Sequence, residues 1–258
     1  CFEELGPTNG EIASPLNPGS AGGNFGGGHG GGVVRIVAGD AITVNGTVSA
    51  NGGNRSSGTY VGGGAGGSIW LTCRTFHGTN GTVSAAGGSA VGALNGGGGG
   101  GGRVAIDYDP DSQAAVPQPS VTFSAAHGPG SSSAAWYEGR LGTLYFPDTR
   151  FLTNVITSLK GQIVIPGFTN WSVSSLTISN VPVHIPVPGF MLTVTNDMLI
   201  TGTGGRLELG GDAQNASAAF YPYSPGGVVP PRLLVGGDLS ISNGARLYLY
   251  SSMTNVAW

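Results

Sequence analysis

Gly46-Thr47-Val48-Ser49-Ala50-Asn51-Gly52-Gly53 returns as Gly81-Thr82-Val83-Ser84-Ala85-Ala86-Gly87-Gly88, 35 residues later. A second element keeps the same step. Gly30-Gly31-Gly32-Val33-Val34-Arg35-Ile36 corresponds to Ala65-Gly66-Gly67-Ser68-Ile69-Trp70-Leu71, and again to Gly100-Gly101-Gly102-Arg103-Val104-Ala105-Ile106. Each unit reads as a glycine run, a strand, a turn, a second strand and another glycine run. Apolar and small polar residues alternate in the strands, the signature of period two. No segment carries a 3.6-residue pattern, and Gly and Pro recur too often for long helices. A unit this short buries its apolar face only against a neighbouring copy. The expected fold is therefore all-β, a parallel β-helix or solenoid.

Outward from this region the repeat changes type. Leu192 to Ile200 leads to Gly205-Arg206-Leu207-Glu208-Leu209, and Leu234 to Ile241 leads to Ala245-Arg246-Leu247-Tyr248-Leu249. Asp197 matches Asp238 at a step of 41, and Arg206 matches Arg246 at a step of 40. The matched aspartates read as turn residues, and the matched arginines as outward positions flanking strands. Leu176-Thr177-Ile178-Ser179-Asn180 is a degenerate strand of the same kind. The organisation expected is an N-terminal extension over 1–24, glycine-rich β repeats over 25–110, a linker with irregular strands over 111–150, and a second β-solenoid region over 151–258 with a loop at 210–231. A β-sandwich is the alternative for the second half.

Glycine has the largest conformational entropy to lose, so the runs Gly26–Gly32, Gly62–Gly67 and Gly96–Gly102 need an ordering force. They are either flexible loops or polyproline-II-like strands packed side by side, where missing side chains let backbones bond to each other. Their register with the β repeat favours ordered packing.

The composition excludes several classes. There are 50 glycines in 258 residues without a G-X-Y period, so collagen is excluded. Hydrophobic residues reach 39%, which separates the chain from disordered sequences. The cations are Lys160 and nine scattered arginines, with a net charge of −3, so the clustered charge that phosphate backbones require is missing. No apolar run approaches a membrane span. Low charge and many small polar residues fit an extracellular location, and the residues at the two ends, Cys1 and Trp258, fit a processed or partial chain.

The succession GGGHGGGVVRIVAGDAITVNGTVSANGG, GGGAGGSIWLTCRTFHGTNGTVSAAGG and GGGGGGGRVAIDYD resembles the glycine-rich repeats of very large secreted bacterial proteins. LLVGGDLSISNGARLYLYSSMTN resembles the coils of β-helical adhesins and autotransporter passengers. The likeness runs from about Gly22 to Asn255 and implies surface display, adhesion or matrix building.

Candidate chemistry is sparse. GxGxxG matches in the glycine runs lack the strand–helix context of a nucleotide site. Asp107, Asp109 and Asp111 space oxygen ligands as a calcium loop begins, but Ser112 and Gln118 replace its Gly and Glu, so a solvated turn is the competing reading. His29, His77, His127 and His184 are too far apart in sequence to argue a zinc site. Cys1 and Cys73 form a disulfide candidate, beside a free or lipid-bearing Cys1. Trp70, Trp136, Trp171, Tyr221, Tyr223, Tyr250 and Trp258 are candidates for stacking on sugars or anchoring an interface. Asn45, Asn54, Asn80, Asn170 and Asn215 each open a glycosylation sequon.

The function expected is non-enzymatic: a structural subunit or segment of an extracellular fibre or bacterial-surface assembly, self-assembling head-to-tail into a filament. A carbohydrate-binding adhesin segment is the alternative. A polysaccharide lyase or hydrolase ranks below both, because Asp40, Asp148, Asp197, Glu208, Asp212 and Asp238 do not cluster in sequence. No resident cofactor is expected apart from the calcium candidate.

Overall fold

The computed structural model describes residues 11–23, 25–131, 138–211 and 229–250. The first unit forms β1 (Val33–Val37), β2 (Ala41–Thr43) and β3 (Thr47–Ser49), and the second forms β4 (Ser68–Thr72), β5 (Thr75–His77) and β6 (Thr79–Ser84). The third contains β7 (Arg103–Asp107), a one-turn helix α1 (Pro110–Ala114) and β8 (Ser120–Ser124). Then follow β9 (Thr143–Tyr145), β10 (Val155–Ile156), β11 (Leu159–Val164), β12 (Asn170–Val173), β13 (Leu176–Ser179) and β14 (Pro182–Ile185). The last are β15 (Met191–Val194), β16 (Met198–Thr201), β17 (Arg206–Leu209), β18 (Arg232–Val235), β19 (Leu239–Ser242) and β20 (Arg246–Leu249). The fold is all-β, and every pairing between described strands is parallel. Sandwich sheets are antiparallel, so the second half is not one.

One path of eight strands, β1-β4-β7-β9-β11-β14-β17-β20, crosses both repeat regions. Its register follows the sequence repeat: Val33 lies beside Ser68 and Ser68 beside Arg103. Smaller sheets run β10-β13-β16-β19, β12-β15-β18 and β2-β5, while β3, β6 and β8 join the main sheet through β11. Within 111–150, β8 pairs with β6 and β11, and β9 with β7 and β11. Insertion of α1 lengthens the step, so that Thr82 pairs with Thr122, and the 35-residue pattern is lost to the eye.

Alternate strand residues point inward. Ile69, Leu71, Val104, Ile106, Leu144, Ile163, Ile178, Ile200 and Leu209 are fully buried in one continuous core. In-register parallel pairing places like residues beside like, which builds the core as rows of aliphatic side chains. Phe76, Phe123, Phe146 and Phe151 gather within it at centroid distances of 5.3–6.0 Å.

The glycine runs lie outside the strands and are cross-linked through their backbones. Gly28 and Gly31 N–H donate to Gly62 and Ala65 carbonyls, and Gly63 and Gly66 donate to Gly97 and Gly100. The trailing runs 50–53, 85–88 and 125–128 pack against these in the opposite direction: Gly64 and Gly67 donate to Gly53 and Ala50, and Gly99 and Gly102 to Gly88 and Ala85. The runs are therefore a hydrogen-bonded layer, in which the donors to any one neighbouring run recur at every third residue. The N-terminal stretch belongs to that layer too, because Gly19 and Gly22 donate to Gly31 and Gly28.

Candidate functional site

The sequence-predicted residues fall at separate places. Asp107 ends β7, Asp109 caps α1 by accepting from Ser112 N at 2.7 Å, and Asp111 lies in the first turn of that helix. The Ser112 bonds hold the Asp109 carboxyl below its ordinary pKa. Among the described residues no three or more His, Cys, Asp or Glu side chains converge as a metal site, so the three aspartates are not brought together. Cys73 is a buried free thiol; Cys1 lies outside the described residues.

Trp70 is half-buried, with the Arg35 guanidinium 4.7 Å from its ring centroid, so a cation already occupies that ring face. Trp171 is half-buried against Phe168 at 6.3 Å. Tyr250 stacks on Tyr248 at 5.8 Å and stands edge-on to His184 at 6.2 Å. Trp136, Tyr221, Tyr223, Trp258, Asp212 and Asn215 lie outside the described residues. Asn45, Asn54, Asn80 and Asn170 are exposed. Asn45 and Asn54 accept from Thr79 N and Ser89 N of the next unit at 2.8 Å, and Asn80 sits in the left-handed region at φ 55°. Asp197 likewise accepts from Asp238 N at 2.9 Å, which is the turn role expected of that pair.

Two features stand out. The first is the pair of sheet ends. β1 and β20 terminate the eight-strand path, each paired on one side only among the described strands. Beside β1 and β20 the smaller sheets also end, at β2 and β3 on one side and β18 and β19 on the other. Val33, Ile36 and Val37 are exposed at the first end, and Leu234, Leu239, Ile241 and Leu249 at the second. Unpaired strand edges carrying apolar side chains are templates for further strands.

The second is a charged cluster that links the last glycine-rich runs to the following strands. Arg206 on β17 lies 3.0 Å (Nε) from Glu208 Oε1 and 3.8 Å (Nη1) from Glu138 Oε2. The Nε–H points off the line to Glu208, so that contact is Coulombic rather than a hydrogen bond. Arg206 Nη2 donates to His127 Nε2 at 3.4 Å, which assigns the His127 proton to Nδ1, 3.2 Å from Gly128 O. His184 is buried, donates from Nε2 to Gly210 O at 2.8 Å, and holds Nδ1 3.7 Å from Glu208. Glu138 also stands 3.7 Å from His127. Arg206 is thus no outward flanking residue but the centre of an ion-pair chain. Sequence reading misses Glu138 and treats His127 and His184 only as separate histidines; the one usable signal is the Arg206-x-Glu208 alternation, which puts both on one strand face.

No family model, curated protein or solved structure matches the chain.

With both carboxylates facing one guanidinium, the cluster is arranged to neutralise charge where the two repeat types meet. Among the described residues no helix is long and apolar enough to cross a membrane.

Proposed function

We propose that the chain is a parallel β-solenoid segment flanked by glycine strands of polyproline-II type, serving as a structural part of an extracellular fibre or surface assembly. The carrying observation is that, among the described strands, the eight-strand path ends at β1 and β20 with no further strand beside either, and with apolar side chains exposed at each. Parallel in-register pairing along a single direction, at steps that follow the repeat, is the arrangement from which solenoids are built. In the glycine layer the bonds to each neighbouring run recur every third residue, which matches the three-residue turn of polyproline II. The resemblance to repeats of large secreted bacterial proteins and the low charge support an extracellular setting.

A head-to-tail contact would lay β20 of one copy beside β1 of the next, and a contact that does not close gives a filament. Electron microscopy and sedimentation velocity over a concentration series test this. Filaments or a rising oligomer ladder are expected, shortened by Ile36→Lys or Ile241→Lys. A dispersed monomer at millimolar concentration would overturn the proposal.

A further inference from the structure

Residues 17–23 occupy a groove between the leading glycine runs of the first and second units, antiparallel to both. Four backbone hydrogen bonds hold them there. Gly19 and Gly22 N–H donate to Gly31 O (2.8 Å) and Gly28 O (2.7 Å) on the first run, while Ala65 and Gly62 N–H of the second donate to Ser20 O (2.8 Å) and Gly23 O (3.3 Å). At the entrance Ser68 Oγ donates to Asn17 O at 2.6 Å.

One unit further on, the same groove lies between the second and third runs. The equivalent groups are Gly66 O, Gly63 O, Gly100 N–H and Gly97 N–H, with Arg103 in register with Ser68. None of these four backbone groups has a hydrogen-bond partner among the described residues. A Cβ built on Gly97 would meet nothing within 4 Å, and one on Gly100 would meet only Arg140 O at 3.8 Å, so the space beside both is open. The Arg103 side chain is half-buried and has no ion-pair or hydrogen-bond partner among the described residues. Desolvation lowers its pKa.

We propose that this second groove is a docking lane for an extended glycine-rich strand of another polypeptide, bound antiparallel to the runs as residues 17–23 are in the first. Recognition by an unpaired backbone edge follows the logic of strand addition. The occupied groove fixes the chemistry of the guest. A Cβ on Gly19 or Gly22 would fall 2.2 Å from the carbonyl oxygens of Ala65 and Gly62, so glycine is required at that three-residue spacing. Ser20, Ala21 and Gly23 are exposed, so the intervening positions tolerate small side chains. Two residues before the first of these glycines, where Asn17 stands, the second groove offers the Arg103 guanidinium. An acidic residue there gains a charge-assisted contact. The lane runs along the flank, so it stands independently of the end-to-end stacking proposed above.

The test is an NMR titration of the full chain with a synthetic peptide of residues 15–23, and with its Asn17→Asp form. Expected are selective shifts and exchange protection of the Gly97 and Gly100 amides, and binding about tenfold tighter for the Asp peptide at low salt. That advantage should vanish in Arg103→Gln. Gly100→Pro, which removes the free N–H, should abolish binding. Gly100→Ala should preserve it, because Ala65 already stands at the equivalent position beside an occupied groove. Neither substitution removes an existing bond of the Gly100 N–H, so both variants should melt as the parent does. No shift at millimolar peptide, undiminished binding to Gly100→Pro, or equal binding by a Gly19→Ala/Gly22→Ala peptide would each overturn the proposal. Dimerisation blocked by Gly100→Pro, without peptide binding, would assign the lane to a second copy and overturn the occupant named here.

Discussion

Individual glycines in the runs are not interchangeable. A Cβ on Gly28 would lie 1.8 Å from Gly53 O and 2.7 Å from Gly64 N, whereas on Gly32 it would meet nothing within 4 Å. Gly28→Ala should therefore cost about 3 kcal/mol or more through forced displacement of backbone. Gly32→Ala should be neutral or stabilise by up to about 1 kcal/mol by restricting the unfolded chain. Paired denaturant melts decide between them, and equal effects would mean that the layer is not packed as described. Cys73 gives a pH signature. Burial first, with the Asp107 carboxylate adding to it, pushes the thiol from 9.0 up to about 11 against a backbone hydrogen bond that lowers it. The protonated thiol is the form the fold favours, so its contribution is complete below pH 9. It is lost as the unfolded chain ionises between pH 9 and about 11. The loss should reach at most about 2–3 kcal/mol. Tyr108, buried and donating to Asp148, is pushed well above its usual range and adds to the decline in the same direction from pH 10 upward. Stability measured from pH 8 to 11 should therefore fall less steeply in Cys73→Ala than in the parent.

At the scale of elements, the two-stranded sheet β2-β5 has a definite stop. The buried Gln113 of α1 accepts from Phe76 N at 2.7 Å and donates from Nε2 to Phe76 O at 3.0 Å, so its amide pairs with β5 as another strand would. Gln113→Ala leaves a buried N–H and C=O unpaired and should cost about 2–3 kcal/mol, measured by thermal melting. Gln113→Glu should restore the acceptor but not the donor, and so recover only part of the loss. This helix also explains what sequence reading could and could not see. Val33, Ser68 and Arg103 were aligned by their glycine and strand context, and their pairing in β1, β4 and β7 follows that alignment residue for residue. The pairing of β6 with β8 was hidden because α1 is inserted between them. Of the strands from Val155 to Ile185, Leu176–Ser179 is legible as a degenerate copy, with Ile178 beside Ile200. The others are hidden for another reason. Gly161 pairs with Val183 and Gln162 with His184, positions that share no residue identity and recur at a shorter step than the flanking repeats. Burial on one face requires only that both be apolar or small, and such a requirement leaves no readable copy.

At the scale of the molecule, the two repeat types share one sheet and meet at the charged cluster. Arg206 there stands between Glu138 and Glu208, whose side chains retain 27% and 12% exposure. Arg206→Met should leave both carboxylates without their counter-charge and cost about 1–3 kcal/mol, less than a fully buried pair because water still reaches Glu138. Melting at low salt should show the loss, and in high salt, where screening weakens the Coulombic pairing, it should shrink. A penalty that persists undiminished at high salt would point to lost packing of the arginine stem instead. Glu138 and Arg206 are distant in sequence and belong to different repeats, so no spacing rule could have joined them.

The sequence by itself determined the all-β character, the unit length and the register of the first three units. These follow from local alternation and from a repeat that must stack to bury its apolar faces. It also placed the glycine runs in step with the strands. Only the tertiary structure decided how those runs bond to one another and which of their backbone groups stay unpaired. It alone showed that Ser120–Ser124 and Thr143–Tyr145 join the sheet and that Arg206 turns toward two glutamates. Each of these depends on which segments become neighbours across long separations, and backbone hydrogen bonds between glycines write no side-chain pattern from which a neighbour could be read.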